Sequence, residues 1–166
     1  MDLKTLFIKI DNELQDNEKN VKDCQPILAE YNSNDYKKYL TKDEMDKLLD
    51  EKTDYIRIAV ENPDGYKPQF FDPYLLVWSK NNFSRIHSHP EKGCILKVLK
   101  GSIKETRYSY PELKKIEETI VELGQTSYIH DTIALHKVKN ADKTDFSVSL
   151  HIYAPKGYII NYFYEK

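Results

Sequence analysis

Cysteine is scarce in this chain of 166 residues: only Cys24 and Cys94 are present. Two cysteines do not make a disulfide framework, and they suit a reducing compartment such as the cytoplasm. Positive charge is not in excess either. Lys and Arg number 25 against 27 Asp and Glu, a net charge of -2. A nucleic-acid footprint needs surplus positive charge, so no nucleic-acid partner is expected. No apolar run approaches the ~20 residues that span a bilayer, so no membrane partner is expected. Met1-Asp2-Leu3-Lys4 has neither the apolar stretch nor the small-residue cleavage site of a secretory signal. Repeats, low-complexity tracts and Gly/Ser linkers are missing as well, which argues for one domain over residues 1–166. What the chain has is ordinary for a globular protein, 40% hydrophobic and 31% charged. Its 13 tyrosines beside only 5 glycines favour strands.

The first third reads as helical. Leu3, Leu6, Phe7, Ile10 and Leu14 form one apolar stripe at helical spacing. Cys24, Ile27, Leu28 and Tyr31 repeat it, with Asp23 as N-cap and Pro26 in the first turn. Thr41-Lys42-Asp43-Glu44 is a capping-box pattern, and Met45, Leu48 and Leu49 supply the buried face of a third helix. From about Thr53 the pattern changes to short strands, among them 55–60, 74–78, 94–99, 102–108, 116–121, 127–129, 136–138, 146–153 and 158–163. The expectation is a helical lead over 1–52 packed on an all-β sandwich or barrel body over 53–166.

Five histidines carry the first chemical signal. His87 and His89 are two residues apart in Arg85-Ile86-His87-Ser88-His89-Pro90. On a strand both imidazoles face one side, ~7 Å apart along the chain, as a metal site needs. Taken alone, the pair also fits two surface histidines beside a turn. Ser149, His151 and Tyr153 alternate along another strand and must share a face. Taken alone, Arg57 reads as a solvent-facing strand arginine. Cys24 and Cys94 taken singly are small buried hydrophobes. Trp78 reads as core, and His130 as loop or surface.

The order of these residues narrows the alternatives. His87-Ser88-His89, a gap of four residues, Cys94, and then Gly101 resemble the first motif of the cupin superfamily, with Asn81 where that motif has Gly. His136 followed by Asn140 resembles the second motif. Cys94 stands where cupins carry a Glu ligand. The stretch from Ser84 to Tyr108 is very similar to the core of the cysteine dioxygenases. So are Tyr55-Ile56-Arg57, the segment from Asp131 to Asn140, Ser149-Leu150-His151-Ile152-Tyr153-Ala154-Pro155, and Glu30-Tyr31-Asn32-Ser33-Asn34.

That resemblance implies a cupin-type β-barrel, a double-stranded β-helix or jelly roll, with a short N-terminal helical lead. It implies one Fe(2+) per chain, held by His87, His89 and His136. Three neutral imidazoles leave the anionic position to the substrate. L-cysteine and O2 are the implied partners and cysteine sulfinate the product, in a monomeric enzyme. Another small thiol, 3-mercaptopropionate or cysteamine, stays open as substrate, and so does a non-catalytic sensor cupin. Arg57 is expected to pair with the substrate carboxylate. Tyr55 is expected to help bind substrate or orient Tyr153. Ser149 would hold His151, and His151 would hold the Tyr153 hydroxyl. Cys94 and Tyr153 would lie side by side and join through a thioether. The Pro155 position is one where the family's peptide bond can be cis.

Overall fold

Asp2 begins the first helix by accepting a hydrogen bond from the Thr5 backbone N–H at 2.8 Å. In the computed structural model, which describes residues 1–49 and 55–165, helix α1 spans Leu3–Leu14. Its whole predicted stripe is buried. Each such side chain contributes about 1.5–3 kcal/mol when fully removed from water. Asp11 lies on the same face and takes hydrogen bonds from Tyr66 Oη at 2.5 Å and from the backbone N–H groups of Gln69 and Phe70.

The second helical segment begins differently from the sequence expectation. Asn20, not Asp23, is the N-cap, and it starts a short 3-10 turn over Val21–Cys24. Asp23 closes that capping box from the third position, and helix α2 follows over Gln25–Ala29 with Pro26 in its first turn. Helix α3 covers only Lys42–Asp46. Thr41 Oγ1 caps it by accepting from the Glu44 N–H at 3.2 Å, but the Glu44 carboxylate turns to Lys47 instead of returning to the cap. Met45 and Leu48 are half-buried rather than a buried face. The expected contribution of the Leu49 side chain, and the boundary expected at 52/53, lie outside the described residues. No helix among the described residues is long and apolar enough to cross a membrane.

Ten strands follow: β1 Ile56–Ala59, β2 Asp72–Trp78, β3 Ile86–His87, β4 Cys94–Lys100, β5 Ile103–Tyr108, β6 Lys115–Val121, β7 Thr126–Ile129, β8 Leu135–Asn140, β9 Ser147–Tyr153 and β10 Tyr162–Phe163. They form two antiparallel five-stranded sheets, ordered β1-β2-β9-β4-β7 and β10-β3-β8-β5-β6. This is the jelly-roll plan that the resemblance implies. The strand expected over 158–163 shrinks to its last part, and the strand carrying His87 ends before His89.

Strand β9 shows how the layers work. All seven of its residues are buried. Val148, Leu150 and Ile152 join Leu75, Val77, Ile95 and the helical stripe in one core, so this sheet's apolar face is covered by the helical lead. The opposite face, with Ser149, His151 and Tyr153, points between the sheets. A fully polar strand face is thereby buried, and every polar group on it needs a partner. Lys97 on β4 ties lead to barrel. Its ammonium donates to the carbonyls of Leu28, Ala29 and Tyr31 at the end of α2. Asn81 takes φ +67° without a glycine, a conformation that asparagine tolerates. Gly101 turns β4 into β5 at φ +71°, against Ser147, where a Cβ has no room.

Candidate active site

His87 on β3 and His136 on β8 are directly opposed across the ladder, so their rings share a face. His87 Nδ1–H donates to the Arg85 carbonyl at 2.8 Å. His136 Nδ1–H donates to Glu105 Oε2 at 2.7 Å. His89 Nδ1 lies 3.0 Å from Asp131 Oδ1, which also accepts the His89 backbone N–H at 2.8 Å. All three outer nitrogens are engaged, and each Nε2 is turned inward.

Burial lowers the affinity of all three rings for a second proton, most strongly for His87 and His136. The rings are therefore neutral, and with the proton on Nδ1 each Nε2 presents a lone pair. Yet His87 Nε2 and His136 Nε2 stand 3.1 Å apart, and buried His89 Nε2 has no hydrogen-bond partner among the described residues. Converging lone pairs repel unless a cation lies among them. One nitrogen from each of the three histidines lies within 4.8 Å of the others. This donor set fits a metal ion, and imidazole suits iron, zinc, copper and nickel alike.

Glu105 carries much of the order here, and no sequence pattern pointed to it. It is 3% exposed on β5, with Oε1 accepting from Arg107 Nε at 3.0 Å and from Ser127 Oγ at 3.0 Å. The carboxylate is held from both sides and fixes the His136 tautomer. Glu105→Gln keeps the shape but removes the charge that supports the ligand. Metal affinity is expected to fall about 10- to 100-fold. Chelator competition against the parent protein checks this, and equal affinities would reduce Glu105 to a packing residue.

Beside the histidines lies the second group expected from the sequence. Cys94 on β4 and Tyr153 on β9 are register partners and pack in one buried cluster. Burial raises the pKa of both, so thiol and phenol are neutral. His151 Nδ1 lies 3.9 Å from Cys94 Sγ and 3.5 Å from Tyr153 Oη, the outer limit of a hydrogen bond. Its Nε2 is 2.7 Å from Ser149 Oγ. Burial pushes the His151 pKa down to about 3, so this ring is neutral too. The Ala154-Pro155 bond is cis.

Trp78 is core, as expected, but it also touches the site. Its indole Nε1–H donates to Ser149 Oγ at 3.0 Å, and its ring stacks on Tyr55 at 4.6 Å. Tyr74 packs edge-on against the Tyr153 ring at 5.9 Å. Tyr74 thus supports the Tyr153 ring, and Tyr55 faces a cleft. That cleft, about 320 Å³, is lined by Tyr55, Arg57, Phe83, Arg85 and Tyr162. The Arg57 guanidinium lies 3.8 Å over the Tyr74 ring and 5.7 Å from the Tyr153 ring centre. Cys24 lies in the core of the helical lead, away from the site. His130 is a half-buried loop residue, and it holds the loop beside Asp131 through the Glu91 carbonyl at 2.6 Å and Thr132 Oγ1 at 2.8 Å.

Comparisons with known proteins agree with this geometry. Among solved structures, Bacillus subtilis oxalate decarboxylase superposes with a TM-score of 0.54 at 15% identity, over 68% of this chain and 29% of that one. A Klebsiella pneumoniae protein with a double-stranded β-helix domain gives 0.54 at 14% identity, over 70% of this chain and 90% of that one. At such identities the likeness concerns the fold alone, which is the double-stranded β-helix. Curated relatives are nearer in sequence. Cysteine dioxygenase type 1 of Rattus norvegicus is 35% identical over 146 residues, and that of Homo sapiens 34% over 143 residues. Each match covers 83% of this chain and 66% of the relative, so part of each relative lies outside it. The family model described as cysteine dioxygenase type I matches residues 2–166. The three-histidine cage, the opposed Cys94 and Tyr153 and the near full-length match agree, and the chain belongs to the cysteine dioxygenase type I family.

Proposed function

We propose that this protein is an iron-dependent thiol dioxygenase that converts L-cysteine and O2 to cysteine sulfinate. We read it as a monomer, which size-exclusion chromatography checks, and as one domain over residues 1–166, a reading supported by the core that the helical lead shares with the barrel. The observation that carries this reading is the neutral three-nitrogen cage beside a cleft bearing a guanidinium with no ion-pair partner among the described residues. His87, His89 and His136 are the proposed ligands of one ferrous ion, which when bound supplies open coordination positions and the redox chemistry that dioxygen requires.

The protein's own side chains do the rest. Arg57 binds the substrate carboxylate through two parallel hydrogen bonds, the geometry that a guanidinium offers. Tyr55 closes one wall of the same cleft. The chain from Trp78 through Ser149 to His151 fixes the imidazole. With the Ser149 hydroxyl donating to Nε2, the ring proton stands on Nδ1, facing Tyr153 and Cys94. Tyr153 thus keeps its hydroxyl at a set position beside the substrate site. Arg57 also favours cysteine or 3-mercaptopropionate over cysteamine, which has no carboxylate. Incubating the iron-loaded protein with these three thiols and weighing the products tests the proposal. A cysteine product heavier by two oxygen atoms supports it, and no oxygenated thiol product at all would overturn it.

The Cys94–Tyr153 pair is proposed to form a thioether. The sulfur bonds to the ring carbon beside the phenol hydroxyl. One S–H and one C–H bond are lost, and the two electrons pass to dioxygen. The link holds the ring in place before substrate arrives. Purified protein is expected to be a mixture, with the linked fraction growing on exposure to iron, cysteine and air. Peptide mapping reads it directly. No linked peptide after many turnovers would leave Cys94 and Tyr153 as a packed pair only.

A further inference from the structure

The chain has three arginines, Arg57, Arg85 and Arg107. Arg107 is neutralised by Glu105 at 3.0 Å and Glu117 at 3.8 Å. The other two line the same cleft, whose lining contains no carboxylate, and neither forms an ion pair among the described residues. Arg57 is the inner one, lying against Tyr74 and Tyr153. Arg85 has no role in the reaction proposed above. Its backbone carbonyl holds His87, and on an extended chain two residues place it about 7 Å further out along the strand. Its guanidinium lies 4.1 Å over the Tyr162 ring, with Nη1 3.5 Å from Tyr164 Oη. Tyr162 is in turn the register partner of His87 on β10. The C-terminal strand thus supports a second, exposed guanidinium in the cleft, whose wall residue Tyr162 lies 6.4 Å from the His87 ring.

We propose that Arg85 is a second anion-binding, specificity-determining residue, and that the cleft accepts small thiols bearing two carboxylates, one held by Arg57 and the other by Arg85. Two guanidiniums without an acid between them repel one another until an anion separates them. The planar fork of arginine binds a carboxylate through two bonds, where a lysine offers a point charge. Tyr55 lines the cleft together with both arginines. The inference rests on the reading of the site as a thiol dioxygenase. The reaction is the same for a dicarboxylate: the thiol and O2 give a sulfinate and a proton. The sulfur gives up four electrons, and both oxygen atoms become bonded to it.

The test uses two measurements on the parent protein, Arg85→Gln and Arg85→Lys. In the first, iron-loaded protein oxidises mercaptosuccinate or L-cysteine, and kcat and KM are separated. Arg85→Gln is expected to lower kcat/KM for mercaptosuccinate about tenfold more than for cysteine, mainly through KM, the scale of one lost charged hydrogen bond. Arg85→Lys is expected to recover part of the loss. In the second, succinate and propionate are titrated against metal-free protein. The parent is expected to prefer succinate, and Arg85→Gln to lose that preference. Equal losses for both thiols, or a parent protein that binds the two acids alike, would overturn the role of Arg85. If the parent oxidises no thiol, the dioxygenase reading fails, and the succinate titration still tests the anion site by itself. Circular dichroism melting confirms that both variants are folded, as expected for an exposed side chain.

Discussion

His136→Ala is expected to abolish stoichiometric metal binding. His136 is wholly buried, and its Nε2 faces His87 Nε2 at 3.1 Å. Removing it leaves two imidazoles, a set that does not close a site, and it leaves the Glu105 carboxylate buried without its histidine partner. Loss of a ligand should cost more than the roughly 10- to 100-fold that loss of an outer hydrogen-bond partner costs. The parent protein should hold one iron per chain by elemental analysis, and His87→Ala, His89→Ala and His136→Ala should each hold almost none. His89→Ala is the most informative of the three. Its Nε2 has no hydrogen-bond partner among the described residues, and its Nδ1 bonds only the partly exposed Asp131, so its loss costs that one bond besides the metal site. Full iron content in all three variants would refute the ligand assignment.

Arg57→Ala is expected to separate substrate binding from metal binding. The guanidinium rests on Tyr74 and reaches towards Tyr153, and no nearby acid competes for it among the described residues. Truncating one partner of a buried charge pair costs about 2–5 kcal/mol. Arg57 is exposed in its cleft, so the lower end applies, roughly a 30-fold loss of kcat/KM for cysteine. Iron content should stay near one per chain, since Arg57 contacts none of the three histidines. Cysteamine, lacking the carboxylate, should show little difference between parent and variant. Equal losses for cysteine and cysteamine would mean that Arg57 acts on the fold or the metal rather than on the carboxylate.

Much of the site was legible because strand periodicity is local. Two-residue spacing placed Ser149, His151 and Tyr153 on one face, and the structure keeps them there. The five-residue stripe of α1 was equally plain, since helical spacing needs no partner to be read. The helix starts were less legible. Asn20 and Asp23 are both competent caps, and the backbone chose the one that opens a 3-10 turn. The motif spacing around His87, His89 and Cys94, with its likeness to the cysteine dioxygenases, pointed to the metal site before any coordinates did.

The sequence by itself thus determined which residues can ligate, which share a face, and which family's order of motifs they follow. The tertiary structure decided who orients them. Glu105 meets His136 across 31 positions, Asp131 meets His89 across 42, and Trp78 meets Ser149 across 71. Such pairs depend on the register between strands and on how one sheet faces the other, and no periodicity within a single segment encodes either. The same holds for the mouth of the cleft. Arg57 sits on β1 and Arg85 immediately before β3 of the other sheet, and they become neighbours in one cleft only when the two sheets face each other.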